Sequence, residues 1–251
     1  MPPSQRLALS VGAVLLALVS WELAADQRWV NPLVTSSPLR IVGAAYDLSR
    51  SGTLGHAVGE SASLFAVGFG CALVAGLIVG IAIGWYGRLS AVLDPFVSML
   101  YSAPLLATIP LIMVWAGIGF TTQVIVVWLV AVFPILINVA TGVSSADRDL
   151  IQLARSFRGT TWQVLITVVL PGAVPNIVAG VRQGMIQGLV GVVVAEYFVG
   201  DNGLGGMIFY AGETLNMSAA FVGVVIFAAS AIILTMAIRK LQRQVDYWRV
   251  S

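Results

Sequence analysis

Residues 61–85 read SASLFAVGFGCALVAGLIVGIAIGW, 25 positions without one charged side chain. A helix of that length reaches about 37 Å, enough to cross a hydrocarbon core of about 30 Å. In a soluble protein such a helix needs a charged outer layer around it, and this chain cannot supply one. Over its 251 residues it is 59% hydrophobic and 10% charged, where soluble domains carry about 25% charge. A soluble enzyme and a disordered chain are excluded together, and lipid is the expected solvent. The net charge of +2 comes from few residues, so no nucleic-acid partner is expected.

Working outward, five more apolar stretches resemble the first. The set is about 7–25, 61–85, 92–116, 122–140, 177–199 and 219–238, the third interrupted by Pro104 and Pro110. None shows the ten-residue alternation of a membrane barrel. The expected fold is an all-α membrane protein, one transmembrane domain over 1–251 with six transmembrane helices. Arg6 before the first stretch imitates a signal peptide, but Leu23 spoils a small-x-small cleavage site before Asp26, so a retained helix is expected. With both termini inside, the inner segments carry nine Arg and Lys residues and the outer segments three, with Arg182 inside a span. That asymmetry fits positive-inside and puts both termini in the cytoplasm.

The chemistry-bearing residues are sparse. Cys71 is the single cysteine and His56 the single histidine, so no disulfide and no cysteine-cluster or two-histidine metal site is expected. Lys240 is the single lysine, and no Gly-x-x-x-x-Gly-Lys loop precedes it. The chain has no P-loop, and any work from ATP must come from another polypeptide.

The most informative inner segment is 142–174, with a paired-helix element at about 144–171. Leu150, Leu153, Ala154 and Phe157 stand at i, i+3, i+4 and i+7 on one helical face. Ser144 or Ser145 is expected to cap that helix, and Gly159 to end it in a left-handed conformation. Thr160 with Gln163 forms a capping box for a second helix bearing Trp162, Leu165, Ile166 and Val169, which Leu170-Pro171 is expected to end. The unit reads either as two helices lying on the lipid surface or as an element whose apolar face enters a groove on a soluble partner.

Gln152-Leu153-Ala154-Arg155-Ser156-Phe157-Arg158-Gly159, followed by Gln163, Val168 and Leu170-Pro171, resembles the EAA loop of ABC importer permeases. Two of the three triplet positions differ from that motif, and Arg158 holds the place of its glycine. Trp21-Glu22-Leu23-Ala24-Ala25, Ser37-Pro38, Leu93-Asp94-Pro95, Ala103-Pro104, Ile109-Pro110-Leu111, Trp115-Ala116-Gly117-Ile118-Gly119, Gly180-Val181-Arg182, Ala195-Glu196 and Gly203-Leu204-Gly205 resemble, in order and spacing, the nitrate/sulfonate/taurine permease group. The resemblance implies a permease of the prokaryotic inner membrane, not itself an enzyme, for a small anionic or organic-acid-like solute. It implies two permease copies, two separate ABC ATPase subunits that bind ATP and Mg, and an extracytoplasmic binding protein. This chain then holds no cofactor or metal. The implied ATPase-docking residues are Leu150, Leu153, Ala154, Arg155, Phe157, Arg158 and Gly159.

A secondary transporter or channel is the alternative. It calls for inverted repeats or mid-membrane carboxylates, and neither is evident. An intramembrane enzyme lacks a nucleophile–base set. Candidate pathway residues are Arg182, Gln183, Gln187, Glu196 and Pro104. Each has a structural reading beside it: snorkelling or an ion pair for Arg182, helix-to-helix hydrogen bonds for the glutamines, a hydrated interfacial charge for Glu196, a kink for Pro104. Asp94 reads as a helix-boundary residue, the glycines at 68, 70, 76, 80 and 84 as close-packing positions, and Gly203-Leu204-Gly205-Gly206 as an outer turn or re-entrant piece.

Overall fold

The computed structural model describes residues 3–27, 29, 31, 34–200 and 202–247. Arg28 and Arg249 of the charge asymmetry lie outside the described residues. Among the described residues every secondary-structure element is a helix: α1 Pro3–Asp26, α2 Pro38–Arg50, α3 Thr53–Trp85, α4 Gly87–Ser102, α5 Leu105–Ala116, α6 Phe120–Ser144, α7 Arg148–Ser156, α8 Thr161–Val164, a π-helical turn Leu165–Val169, α9 Leu170–Val199, α10 Gly203–Glu213 and α11 Met217–Tyr247.

Among the described residues, four segments are long and apolar enough to cross a membrane: Thr53–Trp85, Phe120–Ser144, Thr161–Val199 and Met217–Ala237. A fifth crossing is possible through α4 and α5, which are bent 99° against each other. The first expected stretch lies within α1. The expected interruption of the stretch 92–116 falls at Pro104. Ala103 sits at φ −67°, ψ 140°, the extended geometry that a following proline imposes, and Pro104 then caps α5. Pro110 lies inside α5 without breaking it, and Asp94-Pro95 lies inside α4 rather than at its boundary.

The chain packs as two compact units. One comprises the described residues of Met1–Glu60 and Asp201–Ala228. There the Glu22 carboxylate accepts from the Leu39 N–H at 3.0 Å, and Ser37 caps α2 with Pro38 at its first turn. Trp21 stacks obliquely on Phe221, with ring centroids 5.5 Å apart, and the Ser36 and Ser218 hydroxyls are 2.8 Å apart. Of the two expected forms at 203–206, a turn or a re-entrant piece, the turn is replaced by the start of α10. Gly203, at φ +78°, begins it, and Gly203 to Gly206 are buried.

The second unit, Ser61–Gly200 with the described residues of Ala229–Ser251, is built on α6. A Cβ added at Gly80 of α3 would lie 2.8 Å from Val139, and one at Gly184 of α9 would lie 2.5 Å from Ile135. Both helices therefore approach α6 closely through glycine faces. The α3 positions 68, 76, 80 and 84 behave as expected, whereas Gly70 meets nothing within 4 Å. The matching row on α9, at 180 and 184, was not singled out from the sequence.

The fifth span is longer than 177–199. Its helix starts at Thr161 and passes through Leu170-Pro171 without ending. In a regular α-helix the Pro171 ring would collide with the Thr167 carbonyl, four residues back. The π-helical turn just before it shifts the bonding so that the Leu170 N–H donates to the Leu165 carbonyl, which reorganises the backbone that Pro171 would otherwise meet.

Candidate docking element and pathway residues

The loop after α6 folds as the expected helix, break and helix, but different residues shape its ends. Ser144 and Ser145 finish α6: their hydroxyls donate back to the Thr141 and Gly142 carbonyls, each at 3.1 Å. Asp147 caps α7 instead. Its carboxylate accepts from the Asp149 N–H at 2.8 Å and the Leu150 N–H at 3.4 Å, and its charge suits a helix N-terminus.

At the other end, the left-handed residue is Arg158, at φ 60°, not Gly159. The Arg158 N–H donates to the Arg155 carbonyl at 2.9 Å and the Gly159 N–H to the Ala154 carbonyl at 3.1 Å. This is the double bond pattern of a Schellman turn. Glycine is needed at 159 for another reason, since a Cβ there would lie 2.8 Å from the Ala154 carbonyl oxygen. The capping box at Thr160 is present: the Thr160 N–H donates to the Gln163 Oε1 at 2.8 Å, and the Gln163 N–H to the Thr160 Oγ1 at 3.3 Å.

The apolar face divides. Ile151 and Ala154 turn inward and pack on the cluster that includes Val164, Leu165 and Val169. Ala154 therefore does not stand beside Phe157 on an outward face, as periodicity suggested. Leu150, Leu153 and Phe157 point outward, with Phe157 80% exposed, and Trp162 and Ile166 are exposed on the following helix. Arg155 and Arg158 are also exposed. The result is an apolar ridge bordered by two guanidinium groups, held from beneath by a packed core.

The pathway candidates do not form one constellation. Pro104 stands at the α4–α5 bend. Gln183 accepts from the Asn138 Nδ2 at 3.3 Å, tying α9 to α6. Gln187 is half-buried. Arg182 lines a small crevice with Met185, Ile186 and Leu189 of α9 and Ala231, Leu234 and Thr235 of α11. Glu196 is 2% exposed and is not a hydrated interfacial charge. Ser61 of α3 donates to its carboxylate, with Oγ 2.7 and 2.9 Å from the two oxygens. The sequence carried no signal that pairs these two positions.

A family model described as binding-protein-dependent transport system inner membrane component matches residues 72–247. The taurine transport system permease protein TauC of Escherichia coli (strain K12) is 30% identical over 252 residues, covering 98% of this chain and 92% of its own length. The putative aliphatic sulfonates transport permease protein SsuC of Bacillus subtilis (strain 168) is 32% identical over 243 residues, covering 97% and 87%. Among solved structures, the inward-facing MetNI methionine ABC transporter matches with a TM-score of 0.69 at 22% identity, over 78% of this chain and 98% of that one. That likeness is one of fold. Similarity at this level along most of the chain settles its kinship: it belongs to the inner membrane components of binding-protein-dependent transport systems.

Proposed function

We propose that the chain is the permease of an ATP-driven importer for a small anionic or organic-acid-like solute. The observation that carries this reading is the exposed ridge of Leu150, Leu153 and Phe157 on a rigidly capped element outside the spans. A chain without a P-loop needs a separate ATPase, and the ridge offers it an apolar anchor with arginines at the rim. Such arginines orient a partner more than they hold it. ATP and Mg belong to that partner, and the solute is delivered by an extracytoplasmic binding protein. Two copies of this chain form the pathway, with their termini in the cytoplasm. The sulfonate-related names of two relatives support a small acidic solute.

The element has a direct mechanical connection to the bundle. Its inner face is packed on Val164, Leu165 and Val169, which begin the continuous 39-residue helix Thr161–Val199. Closure of the ATPase pair displaces the ridge, and the displacement travels along this helix past Arg182 and Gln187 to Glu196. Leu165–Val169, the π-helical turn, is where that helix can bend.

The test is Phe157→Ala. Truncating a buried anchor costs about 2 kcal/mol or more, roughly 30-fold in affinity. The wild-type complex is expected to weigh as two copies of this chain plus two ATPases, and the variant to lose most of its ATPase at the same protein concentration. Full retention of ATPase by Phe157→Ala and Leu153→Ala would return the element to the role of a lipid-surface helix pair.

A further inference from the structure

Helix α2, Pro38–Arg50, sorts its exposed residues by chemistry. Leu39, Val42 and Tyr46 are each between 60% and 72% exposed. At a helical turn of about 100° per residue they fall within one arc of about 60°. Arg50, Asp47 and Arg40 are exposed in the adjoining arc. On the remaining side Ile41 is buried, and Ala44, Ala45 and Leu48 are half-buried. A helix on a water-soluble body needs two sides, one packed and one polar. This helix has a third, which is apolar and left uncovered by its own unit.

Contacts within that unit fix the depth of α2. Residues 11–20 of α1 are all exposed and carry no charge, a surface that suits hydrocarbon and not water. Two residues further on, about 3 Å along the axis, the Glu22 carboxylate accepts from the Leu39 N–H. The apolar span of α11 begins at Met217, and its Ser218 hydroxyl pairs with that of Ser36, just ahead of α2. Both neighbours therefore hold the first turn of α2 at the level where an apolar span ends. Trp29, in the connection between α1 and α2, is 78% exposed, and Trp and Tyr are enriched at this level of a bilayer. The Arg50 guanidinium lies over the Tyr46 ring, 5.7 Å from its centroid, on the seam between the apolar and charged arcs.

From this arrangement we propose that α2 is a lipid-binding helix lying in the headgroup region of the outer leaflet. Leu39, Val42 and Tyr46 enter the acyl boundary, Arg40 and Arg50 meet lipid phosphates, and the Ile41 side packs on protein. An interfacial helix divides its faces in this way, and a guanidinium matches phosphate oxygens with paired N–H donors. The membrane is favoured over a soluble partner because the apolar arc starts at the depth where the uncharged surface of α1 stops, so one lipid phase covers both. The inference takes its leaflet from the permease reading, which puts the segment between α1 and α3 outside; the lipid contact itself does not depend on that reading.

The test uses the full transporter in nanodiscs of phosphatidylethanolamine and phosphatidylglycerol. Cys71 is the single cysteine, so Cys71→Ala gives a thiol-free background. Arg40→Cys, Val42→Cys, Tyr46→Cys or Asp47→Cys is then added, one at a time, and carries a nitroxide. Its collision rates are measured with oxygen, which dissolves among acyl chains, and with a polar nickel chelate, which stays in water. The oxygen-to-chelate ratio is expected to be several-fold higher at 42 and 46 than at 40 and 47. In spheroplasts, Asp47→Cys without the nitroxide is expected to react with a membrane-impermeant maleimide. All four side chains are exposed, and two positions in each arc guard against a variant that fails to fold.

Equal ratios at all four positions would overturn the proposal and leave α2 in water. Low collision rates with both reagents at 42 and 46 would overturn it too, because protein then covers the apolar arc. So would chelate access at 42 and 46 that is lost only when an extracytoplasmic binding protein is added, a result that would give the arc to that protein. Labelling of position 47 in inside-out vesicles alone would overturn the outer-leaflet assignment. Co-purified ATPase and transport measured on the same preparation report separately on the permease reading.

Discussion

Two neighbouring residues in the docking turn should respond to substitution in opposite directions. Gly159→Ala introduces a Cβ 2.8 Å from the Ala154 carbonyl oxygen. That oxygen cannot simply move aside, because it accepts the Gly159 N–H at 3.1 Å on a residue packed against the core cluster. Losing the bond costs about 1 kcal/mol, and the forced shift adds a comparable amount, about 1 kcal/mol at the lower end for overpacking. The sum, about 2 kcal/mol of local stability, is a roughly 30-fold rise in the opening equilibrium. Arg158→Gly acts the other way. A left-handed conformation costs a side-chain-bearing residue about 1–2 kcal/mol, while glycine returns about 0.5–1 kcal/mol through its greater freedom when the turn opens. The net is a gain of between about 0 and about 1.5 kcal/mol, an opening equilibrium lower by up to roughly tenfold. Hydrogen exchange of the Phe157, Arg158 and Gly159 amides in nanodiscs reads both, because all three donate within this turn. Unchanged exchange in Gly159→Ala, or faster exchange in Arg158→Gly, would refute the assignment of the left-handed position and the close approach.

Ser61→Ala removes a donor from the buried Glu196 carboxylate and should lower the stability of the second unit by about 1–3 kcal/mol, read as a lower temperature of loss in thermal size-exclusion assays; Ser61→Thr should retain most of it. Equal stability of Ser61→Ala and wild type would show that the remaining surroundings of Glu196 carry the carboxylate alone. Arg182→Ala is expected to leave assembly intact and reduce uptake of an anionic solute. Wild-type uptake at normal expression would leave Arg182 as a structural residue beside α11.

What could be read from the sequence depended on how local each cause is. Uncharged runs such as 61–85 announce helices by hydration alone, and the Thr160–Gln163 box announces one by hydrogen bonds three residues apart. The misreadings arose where a second, non-local constraint decided. Gly159 was given the left-handed position because glycine bears it most cheaply, yet the family motif places its glycine where Arg158 stands, and there the backbone turns. Ala154 shares a helical face with Phe157 by periodicity, but the core beneath α7 claims it. Pro171 reads as a terminator unless one knows that a π-helical turn precedes it. The Ser61–Glu196 pair joins positions 135 residues apart, beyond the reach of any local pattern.

The claim on which the account rests is that the ridge around Phe157 is covered by an ATPase. Replacing Phe157 with the photoreactive p-benzoyl-phenylalanine keeps an aromatic group at this exposed position, and irradiation of the assembled transporter in its membrane then records what lies against it. Val114, also 80% exposed but on α5, serves as the comparison. The account predicts a covalent adduct between this chain and the ATPase subunit from position 157 and none from position 114. Lipid adducts alone from position 157, in a preparation where the ATPase is present and active, would contradict it.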